Sequence, residues 1–296
     1  MATVGRWPHK ITDLRYDAGS QRQSNLRAPM TEASEDILFD LTNKVLTITL
    51  NKPEKLNPIG DTMTPFAVER LRDAASNPEV GCVVLTGAGR AFCAGGDVSN
   101  MGGASDQPPR TYEENVEHQR GRHELPLLLH SIPKVTIAAV NGHAMGAGLG
   151  LAASCDLRLA SEKGKFGTAF ANVGLGGDFG TTWQLNRLLG ESKAKELFFL
   201  TDILEAQEAL RIGLINRILP AENFMDHVKE VAERIANGPL VSYRWMKENL
   251  NQSSHVDFKT MLDKEAVSHL RCAQTEDHKE GVAAFMEKRS AAFQGR

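Results

Sequence analysis

Two short apolar runs, each followed at once by glycine-containing sequence, constrain the fold of this chain most. Residues 82–86 lead into a Gly-Ala-Gly turn, and residues 135–140 lead into an Asn-Gly pair. Uninterrupted apolar runs of this length are typical of strands buried on both faces, as in parallel sheets. A small-residue segment over 146–154 predicts a closely packed helix, and residues 157–160 predict a further strand. Strand, helix and strand in this order favour an α/β fold with parallel crossovers.

The flanking sequence divides the chain into three parts. Residues 1–34 are polar and lack periodicity, which predicts a flexible N-terminal arm. Residues 35–222 carry the strand-rich core, in which 37–41 and 45–50 predict a hairpin, and residues 223–296 form a C-terminal helical region. Capping residues and apolar spacing predict helices over 64–75 with Thr64 as N-cap, over 112–132 with a break at Pro126, and over 183–188, 194–200, 206–212, 224–235, 242–249, 256–271 and 278–291.

Charge balance and cysteine spacing exclude several classes of protein. With 34 Lys and Arg against 37 Asp and Glu, the formal net charge is −3, so we expect no general binding to nucleic acid or to membrane surfaces. The longest apolar runs are too short to span a bilayer, and we expect a cytoplasmic protein. The four cysteines show no Cys-x-x-Cys spacing, which predicts reduced thiols and no metal site.

The loops that follow two of the predicted strands could expose bare backbone to a ligand. They comprise residues 91–97 and 141–148, and both are rich in Gly and Ala. Backbone N–H groups from two such turns can hold a developing oxyanion. Glycine-rich turns also serve tight packing, and these residues alone leave both interpretations open. A dinucleotide-binding loop is disfavoured, because the third glycine of that fingerprint falls on Leu151 and Lys165 and Phe166 stand where an acidic residue is required.

Several ordered motifs over residues 36–296 resemble the crotonase, or enoyl-CoA hydratase/isomerase, family. They are Asn-Lys-Pro-Glu-Lys-Leu-Asn at 51–57, Ala-Phe-Cys-Ala-Gly-Gly-Asp at 91–97, Ala-Val-Asn-Gly at 139–142, Cys-Asp at 155–156 and Phe-Met-Glu-Lys-Arg at 285–289. The resemblance implies an α/β fold of the crotonase type, a spiral of ββα repeats with a C-terminal helical trimerisation region. It also implies a homotrimer or a dimer of trimers.

The resemblance further implies where an acyl-CoA thioester binds. The oxyanion hole falls on the backbone N–H groups of Gly96 and Ala147. Phe285 and Lys288 would reach the nucleotide end of CoA, in many members from a neighbouring subunit, although Lys288 could also be a solvated surface lysine. No cofactor is implied beyond the coenzyme A of the substrate. The full set of residues implied to contact the substrate or its CoA moiety is Lys55, Leu56, Pro58, Ala94, Gly96, Asp97, Met101, Phe170, Phe285 and Lys288.

The carboxylates around the oxyanion hole distinguish the reactions of this family. Hydratases place two glutamates across the substrate, and those positions are Gly150 and Phe170 here. Asp178 resembles instead the aspartate of isomerases such as the phenylacetate-pathway epoxide isomerase and dienoyl-CoA isomerases. One carboxylate can remove a proton and return it two carbons away, so the resemblance implies double-bond isomerisation of an unsaturated or ring-derived acyl-CoA. We expect Phe170 and Phe179 to raise the pKa of Asp178 by desolvation.

Other interpretations of these residues remain open. Asp178 could simply cap the helix that begins near residue 181. Glu124 could supply the acid of a hydratase. A dehalogenase or hydrolase would use Asp178 as a nucleophile with a histidine that activates water, for which His123 and His130 are candidates, although both are commonly helix-surface residues. A catalytically inactive acyl-CoA-binding protein would keep only the fold and the oxyanion hole.

Overall fold

Strands and helices alternate along the first two thirds of the chain, and helices follow to its end. The computed structural model describes residues 34–97 and 110–296. The strands within these ranges are β1 (Ile37–Thr42), β2 (Val45–Leu50), β3 (Cys82–Gly87), β4 (Ala91–Cys93), β5 (Val135–Val140), β6 (His143–Met145), β7 (Leu157–Ser161), β8 (Lys165–Gly167), β9 (Leu204–Glu205) and β10 (Arg217–Leu219). The helices are α1 (Thr64–Ser76), α2 (Tyr112–Arg122), α3 (Glu124–Ser131), α4 (Ala147–Ser154), α5 (Thr181–Leu189), α6 (Glu191–Leu200), α7 (Ala206–Arg211), α8 (Phe224–Ala236), α9 (Leu240–Ser253), α10 (Phe258–Ala273) and α11 (Glu276–Glu287).

The strands form two sheets. The larger has the order β1-β2-β3-β5-β7-β10, in which β1 and β2 are the antiparallel hairpin and the other pairs are parallel. The smaller has the order β4-β6-β8-β9 and is parallel except between β8 and β9. Helices connect the parallel strands, which confirms the predicted α/β fold with its helical C-terminal region.

The larger sheet is buried on both faces, which explains its apolar runs. Val83 and Leu85 of β3 point into one apolar core, together with Val140 of β5. The alternate residues Cys82 and Val84 point into a second core that α8 covers. Because neighbouring side chains on a strand face opposite sides, both sets must be apolar. Cys82 is therefore a buried thiol, as the cysteine spacing predicted.

Several predicted boundaries were wrong for identifiable reasons. The long helix breaks at His123, not at Pro126, which lies in the first turn of α3, where its missing N–H leaves no helical hydrogen bond unmade. Thr64 is the first residue of α1 rather than its N-cap. The last helix ends at Glu287, and its C-cap Lys288 has a left-handed φ of 54°, so the predicted extension to 291 was also wrong.

The C-terminal helices carry large apolar side chains that face solvent in the single chain. On α9 to α11 these are Met246, Leu250, Phe258, Leu262, Val267, Leu270, Val282, Phe285 and Met286. Among the described helices, none combines the length and hydropathy needed to cross a bilayer. Of the sequence predictions, the N-terminal arm up to residue 33 and the assignment of Met101 lie outside the described residues.

Candidate active site

The two glycine-rich loops meet in the structure. A Cβ atom built on Gly95 would lie 3.1 Å from the carbonyl oxygen of Met145 and 3.8 Å from the amide nitrogen of Ala147. The first loop therefore lies against the start of α4. Gly95 and Gly146 have positive φ angles of 110° and 51°, a conformation that residues with side chains rarely adopt.

The residues assigned to the oxyanion hole, Gly96 and Ala147, lie on either side of this junction. Ala147 is the first residue of α4, and the first N–H groups of a helix have no acceptor within it. The helix dipole adds partial positive charge at the same point. A Cβ atom on Gly96 would meet no described atom within 4 Å. The arrangement suits an oxygen anion held between the loops.

The loop assigned to CoA runs beside the first glycine-rich loop. The Ala94 N–H donates to the carbonyl oxygen of Leu56 at 2.9 Å. The Ile59 N–H donates to the carbonyl of Gly95 at 2.8 Å, and the Ile59 carbonyl accepts from the Asp97 N–H at 3.0 Å. These bonds fix the main chain on both sides of Gly96.

Asn57 holds this loop from inside. Its side chain is fully buried, and its Nδ2 donates to the carbonyl oxygens of Ala88 and Ala91, each at 2.8 Å. Its Oδ1 accepts from the Lys52 N–H at 2.8 Å. The φ of Asn57 is 56°, in the left-handed region that Asn tolerates better than most residues. Lys55, by contrast, is exposed at the end of a 3-10 turn, and Pro58 is buried.

Asp178 lies between β8 and α5 and is hydrogen-bonded through both carboxylate oxygens. Its Oδ1 is 2.5 Å from Nε2 of His123 and accepts from the Phe179 N–H at 2.9 Å. Its Oδ2 accepts from Nε2 of Gln119 at 2.6 Å. Sequence reasoning missed Gln119, because a glutamine on a polar helix carries no local signal of a contact that lies 59 residues away.

The predicted increase in the pKa of Asp178 was wrong. Burial raises the pKa of this carboxyl, but hydrogen bonds from His123, Gln119 and the backbone of Phe179 outweigh burial and lower it. Donors to a carboxylate favour its charged form. An ionised carboxylate can only accept, so the Nε2 atom of His123 carries the hydrogen of their shared bond.

The capping interpretation of Asp178 was also wrong. The N-cap of α5 is Gly180, and the N–H and Oγ1 of Thr181 both donate to the main-chain carbonyl of Asp178, at 3.0 and 2.7 Å. The main-chain carbonyl of Asp178 thus accepts hydrogen bonds from the first residue of α5, whereas its side chain faces α2.

A family model described as enoyl-CoA hydratase/isomerase matches residues 40–296. The chain belongs to this family. It is 35% identical to 1,2-epoxyphenylacetyl-CoA isomerase of Escherichia coli, with 88% of this chain and 99% of that protein covered. It is 34% identical to short-chain-enoyl-CoA hydratase of Clostridium acetobutylicum, with 86% and 95% covered. A crystal structure of enoyl-CoA hydratase from Bacillus anthracis superposes with a TM-score of 0.81 at 31% identity, over 88% of this chain and 100% of that one.

Positions 150 and 170, where the resemblance places the two hydratase glutamates, are both closely packed in this member of the enoyl-CoA hydratase/isomerase family. A Cβ atom on Gly150 would lie 2.5 Å from Oγ1 of Thr181 and 2.8 Å from the carbonyl oxygen of Phe179. The segment that carries Asp178 therefore occupies the space of a side chain at position 150. At the second position, Phe170 stacks on Phe198 with ring centroids 5.9 Å apart.

Phe170 also lies beside the second glycine-rich loop. A Cβ atom on Gly146 would be 3.7 Å from Cε1 of Phe170. The ring is almost completely buried. It therefore places an apolar ring beside Gly146, the residue that precedes Ala147.

The remaining candidates lie elsewhere. Glu124 pairs with Arg72, whose Nε is 2.8 Å away. His130 packs edge-on against Trp183 at 5.2 Å, and burial lowers its pKa. Phe285 is 82% exposed on α11, which packs on α10, and Lys288 follows at its C-cap. Of the two histidines weighed from the sequence, His123 contacts Asp178.

Proposed function

We propose that this enzyme isomerises the double bond of an unsaturated or ring-derived acyl-CoA, with Asp178 as base and acid. The observation that carries the proposal is the contact of Gly150 with Thr181 and Phe179. The segment that presents Asp178 fills the space of a side chain at position 150, so this chain offers a carboxylate before α5 and none on α4. A one-base proton transfer needs no second carboxylate.

The hydrogen-bond pattern of Asp178 supports a role as proton acceptor. A carboxylate offers about four lone-pair positions. His123 and the Phe179 N–H use two on Oδ1, and Gln119 uses one on Oδ2. Among the described residues, these donors leave one position on Oδ2 for a substrate proton. The lowered pKa keeps the Asp178 carboxylate ionised at neutral pH, which is the form that accepts a proton.

In the proposed reaction, the N–H groups of Gly96 and Ala147 bind the thioester oxygen. Asp178 removes a proton from the carbon next to the carbonyl, and the negative charge of the dienolate moves onto that oxygen. The double bond shifts into conjugation as Asp178 returns the proton two carbons away. Charge stabilisation by each backbone donor of such a site is worth about 3 kcal/mol.

The proposed CoA contacts extend from this centre in two directions. Within the chain, Lys55, Leu56, Pro58, Ala94 and Asp97 follow the CoA moiety. Phe285 and Lys288 would act on the active site of a neighbouring subunit in a trimer or dimer of trimers. Their exposure on α11, among the exposed apolar side chains of the C-terminal helices, supports that arrangement. No cofactor is proposed beyond the CoA of the substrate.

The contact between His123 and Asp178 favours a second candidate, hydrolytic dehalogenation of an aryl-CoA. In that reaction Asp178 attacks the ring carbon, halide leaves, and water activated by His123 hydrolyses the resulting ester. One oxygen of Asp178 would then enter the product in a single turnover. Single-turnover reaction in H₂¹⁸O, with mass analysis of product and protein, distinguishes this covalent route from proton transfer.

The test of the proposed function uses 3-enoyl-CoA and 2-enoyl-CoA in deuterated water, followed by mass spectrometry and NMR. We expect migration of the double bond with no net addition of water. Asp178→Asn should reduce this rate by at least about 100-fold, because general acid–base groups contribute that much or more. Hydration of 2-enoyl-CoA that persists in Asp178→Asn would contradict the proposal and identify a hydratase. Circular dichroism of the variant controls for folding.

A further inference from the structure

Helix α2 contacts Asp178 through Gln119. It also contacts Ile59, which lies beside the first glycine-rich loop, through Arg122. The Nη1 atom of Arg122 donates to Oε1 of Gln119 at 3.2 Å, and its Nη2 donates to the carbonyl oxygen of Ile59 at 3.0 Å. Ile59 is the residue whose backbone pairs with the main chain on both sides of Gly96. A continuous set of hydrogen bonds therefore joins Asp178, Gln119, Arg122 and Ile59, whose main chain pairs with the loop around Gly96.

We infer that Gln119 and Arg122 are positioning residues, which hold the Asp178 carboxylate at a fixed position relative to the loop around Gly96. The inference rests on the proposed function of Asp178. Gln119 supplies the hydrogen bond that orients Oδ2, and Arg122 acts through Gln119 rather than on the substrate.

The chemistry of the glutamine amide gives Arg122 its role. An amide has an oxygen and an NH₂ group of nearly equal size, and only the NH₂ group can donate to a carboxylate. Arg122 has donors only, so its contact with Oε1 forces the NH₂ group of Gln119 towards Asp178. Without Arg122, the amide could turn its oxygen towards the carboxylate, where the two oxygens would repel each other.

The packing of α2 means that this alignment depends on polar contacts. None of the 11 residues of α2 is buried. Polar contacts of this helix include those of Gln119 and Arg122 already given, and a His118–Asp61 pair at 3.2 Å. The guanidinium of Arg122 also lies 5.7 Å from the ring centre of Phe179, next to Asp178. Removal of one polar side chain should therefore shift the helix without opening the core.

The charged and titratable groups around Asp178 are few among the described residues. His123 donates to it directly, Arg122 stands behind Gln119, and Asp61 and His118 form the next pair outward, with Oδ1 of Asp61 3.7 Å from Nε of Arg122. Loss of the Gln119 donor leaves these charges in place. The effect of the Gln119 hydrogen bond on the pKa of Asp178 can therefore be measured separately from the effects of the neighbouring charges.

The experiment compares Gln119→Met, Arg122→Met and the double variant in the full-length protein. Glu113→Gln, an exposed position on the same helix, is the matched control. Two quantities are measured: kcat and KM for isomerisation across pH, and the pKa of Asp178 from the ¹³C shift of its carboxyl carbon. Gln119→Met should raise that pKa, since one stabilising donor to the charged form is lost, and lower kcat about tenfold with little change in KM.

The double variant decides whether Arg122 acts through Gln119. We expect Arg122→Met to raise the pKa of Asp178 as well. The double variant should match Gln119→Met, because both substitutions remove the same hydrogen bond from Gln119 to Asp178. Additive losses, or an unchanged carboxyl pKa in Gln119→Met, would overturn the inference. If the wild-type enzyme lacks isomerase activity, the proposed function fails, and the carboxyl titration still tests the positioning of Asp178.

Discussion

Gly150 and Thr181 touch so closely that no side chain fits between them. A Cβ atom on Gly150 would lie 2.5 Å from Oγ1 of Thr181, and that hydroxyl in turn donates to the main-chain carbonyl of Asp178 at 2.7 Å. The contact therefore links the lack of a side chain at position 150 of α4 to the position of the segment that carries Asp178 before α5. A glutamate could return to position 150 only if the Asp178 segment moved.

Gly150→Ala should therefore destabilise the enzyme and lower its activity. Glycine to alanine inside a helix normally stabilises by about 1 kcal/mol. Here the added methyl group overpacks the contact, and we expect a loss of about 1–3 kcal/mol in the free energy of unfolding by urea titration. The control is Gly176→Ala, whose Cβ would meet no described atom within 4 Å. Equal or greater stability of Gly150→Ala would show that the contact is not tight.

The lowered pKa of Asp178 predicts the pH dependence of stability. A carboxylate whose folded pKa lies below its unfolded value stabilises the fold above the unfolded value, and that contribution is lost as pH falls through the folded pKa. The ordinary value is 3.8. The difference in unfolding free energy between wild type and Asp178→Asn should stay constant above about pH 5 and narrow below 3.8. A difference that widens on acidification would contradict this sign.

The lowered pKa of Asp178 also predicts how kcat/KM depends on pH in the acid range. If ionised Asp178 is the base, kcat/KM should stay level from neutral pH down and fall only below 3.8. A midpoint well above 3.8 would contradict the assignment of ionised Asp178 as the base. Stopped-flow assays with brief exposure to acid separate this titration from unfolding.

Local pattern predicted the parallel strands, and the family resemblance implied that the two glycine-rich loops form one site, but neither predicted the surroundings of Asp178. β3 and β5 are visible because burial on both faces forces a continuous apolar run. The strand β10 was missed because three residues pair with β7 over a distance in sequence that no periodicity records. The pKa error has the same origin. The apolar neighbours of Asp178 are adjacent in sequence, whereas the donor side chains come from α2 and its C-cap.

Asn57→Ala should destabilise the protein and weaken substrate binding. The change leaves the carbonyl of Ala88 without its amide donor and forces alanine into a left-handed φ of 56°. We expect a loss of about 2–3 kcal/mol in unfolding free energy and a higher KM with a smaller change in kcat. Asn115→Ala, which removes one exposed bond of 3.3 Å, is the control and should change stability by less than about 0.5 kcal/mol. Similar losses in both variants would refute the role of Asn57.

Lys247 connects α9 to the residues beside β5 through buried polar contacts. Its substitution by Met should therefore destabilise the protein more than the substitution of an exposed lysine. Its side chain is 7% exposed, lies 2.8 Å from Oδ2 of Asp156 and donates to the carbonyls of Leu129 and Lys134. Lys247→Met leaves the Asp156 carboxylate, which is 22% exposed, without its cationic partner, and we expect a loss of about 3 kcal/mol in urea unfolding.

Two further variants separate the charge effect from lost packing. Lys259→Met breaks an ion pair with Asp263 whose side chains are 84% and 70% exposed, and should change stability by less than about 1 kcal/mol. Adding Asp156→Asn to Lys247→Met removes the unpaired charge while the amide can still bond to Thr136, so the double variant should recover part of the lost stability. If the double variant recovers no stability, the unpaired Asp156 charge is not the cause of the loss, and Lys247 acts through its contacts with the carbonyls of Leu129 and Lys134 alone.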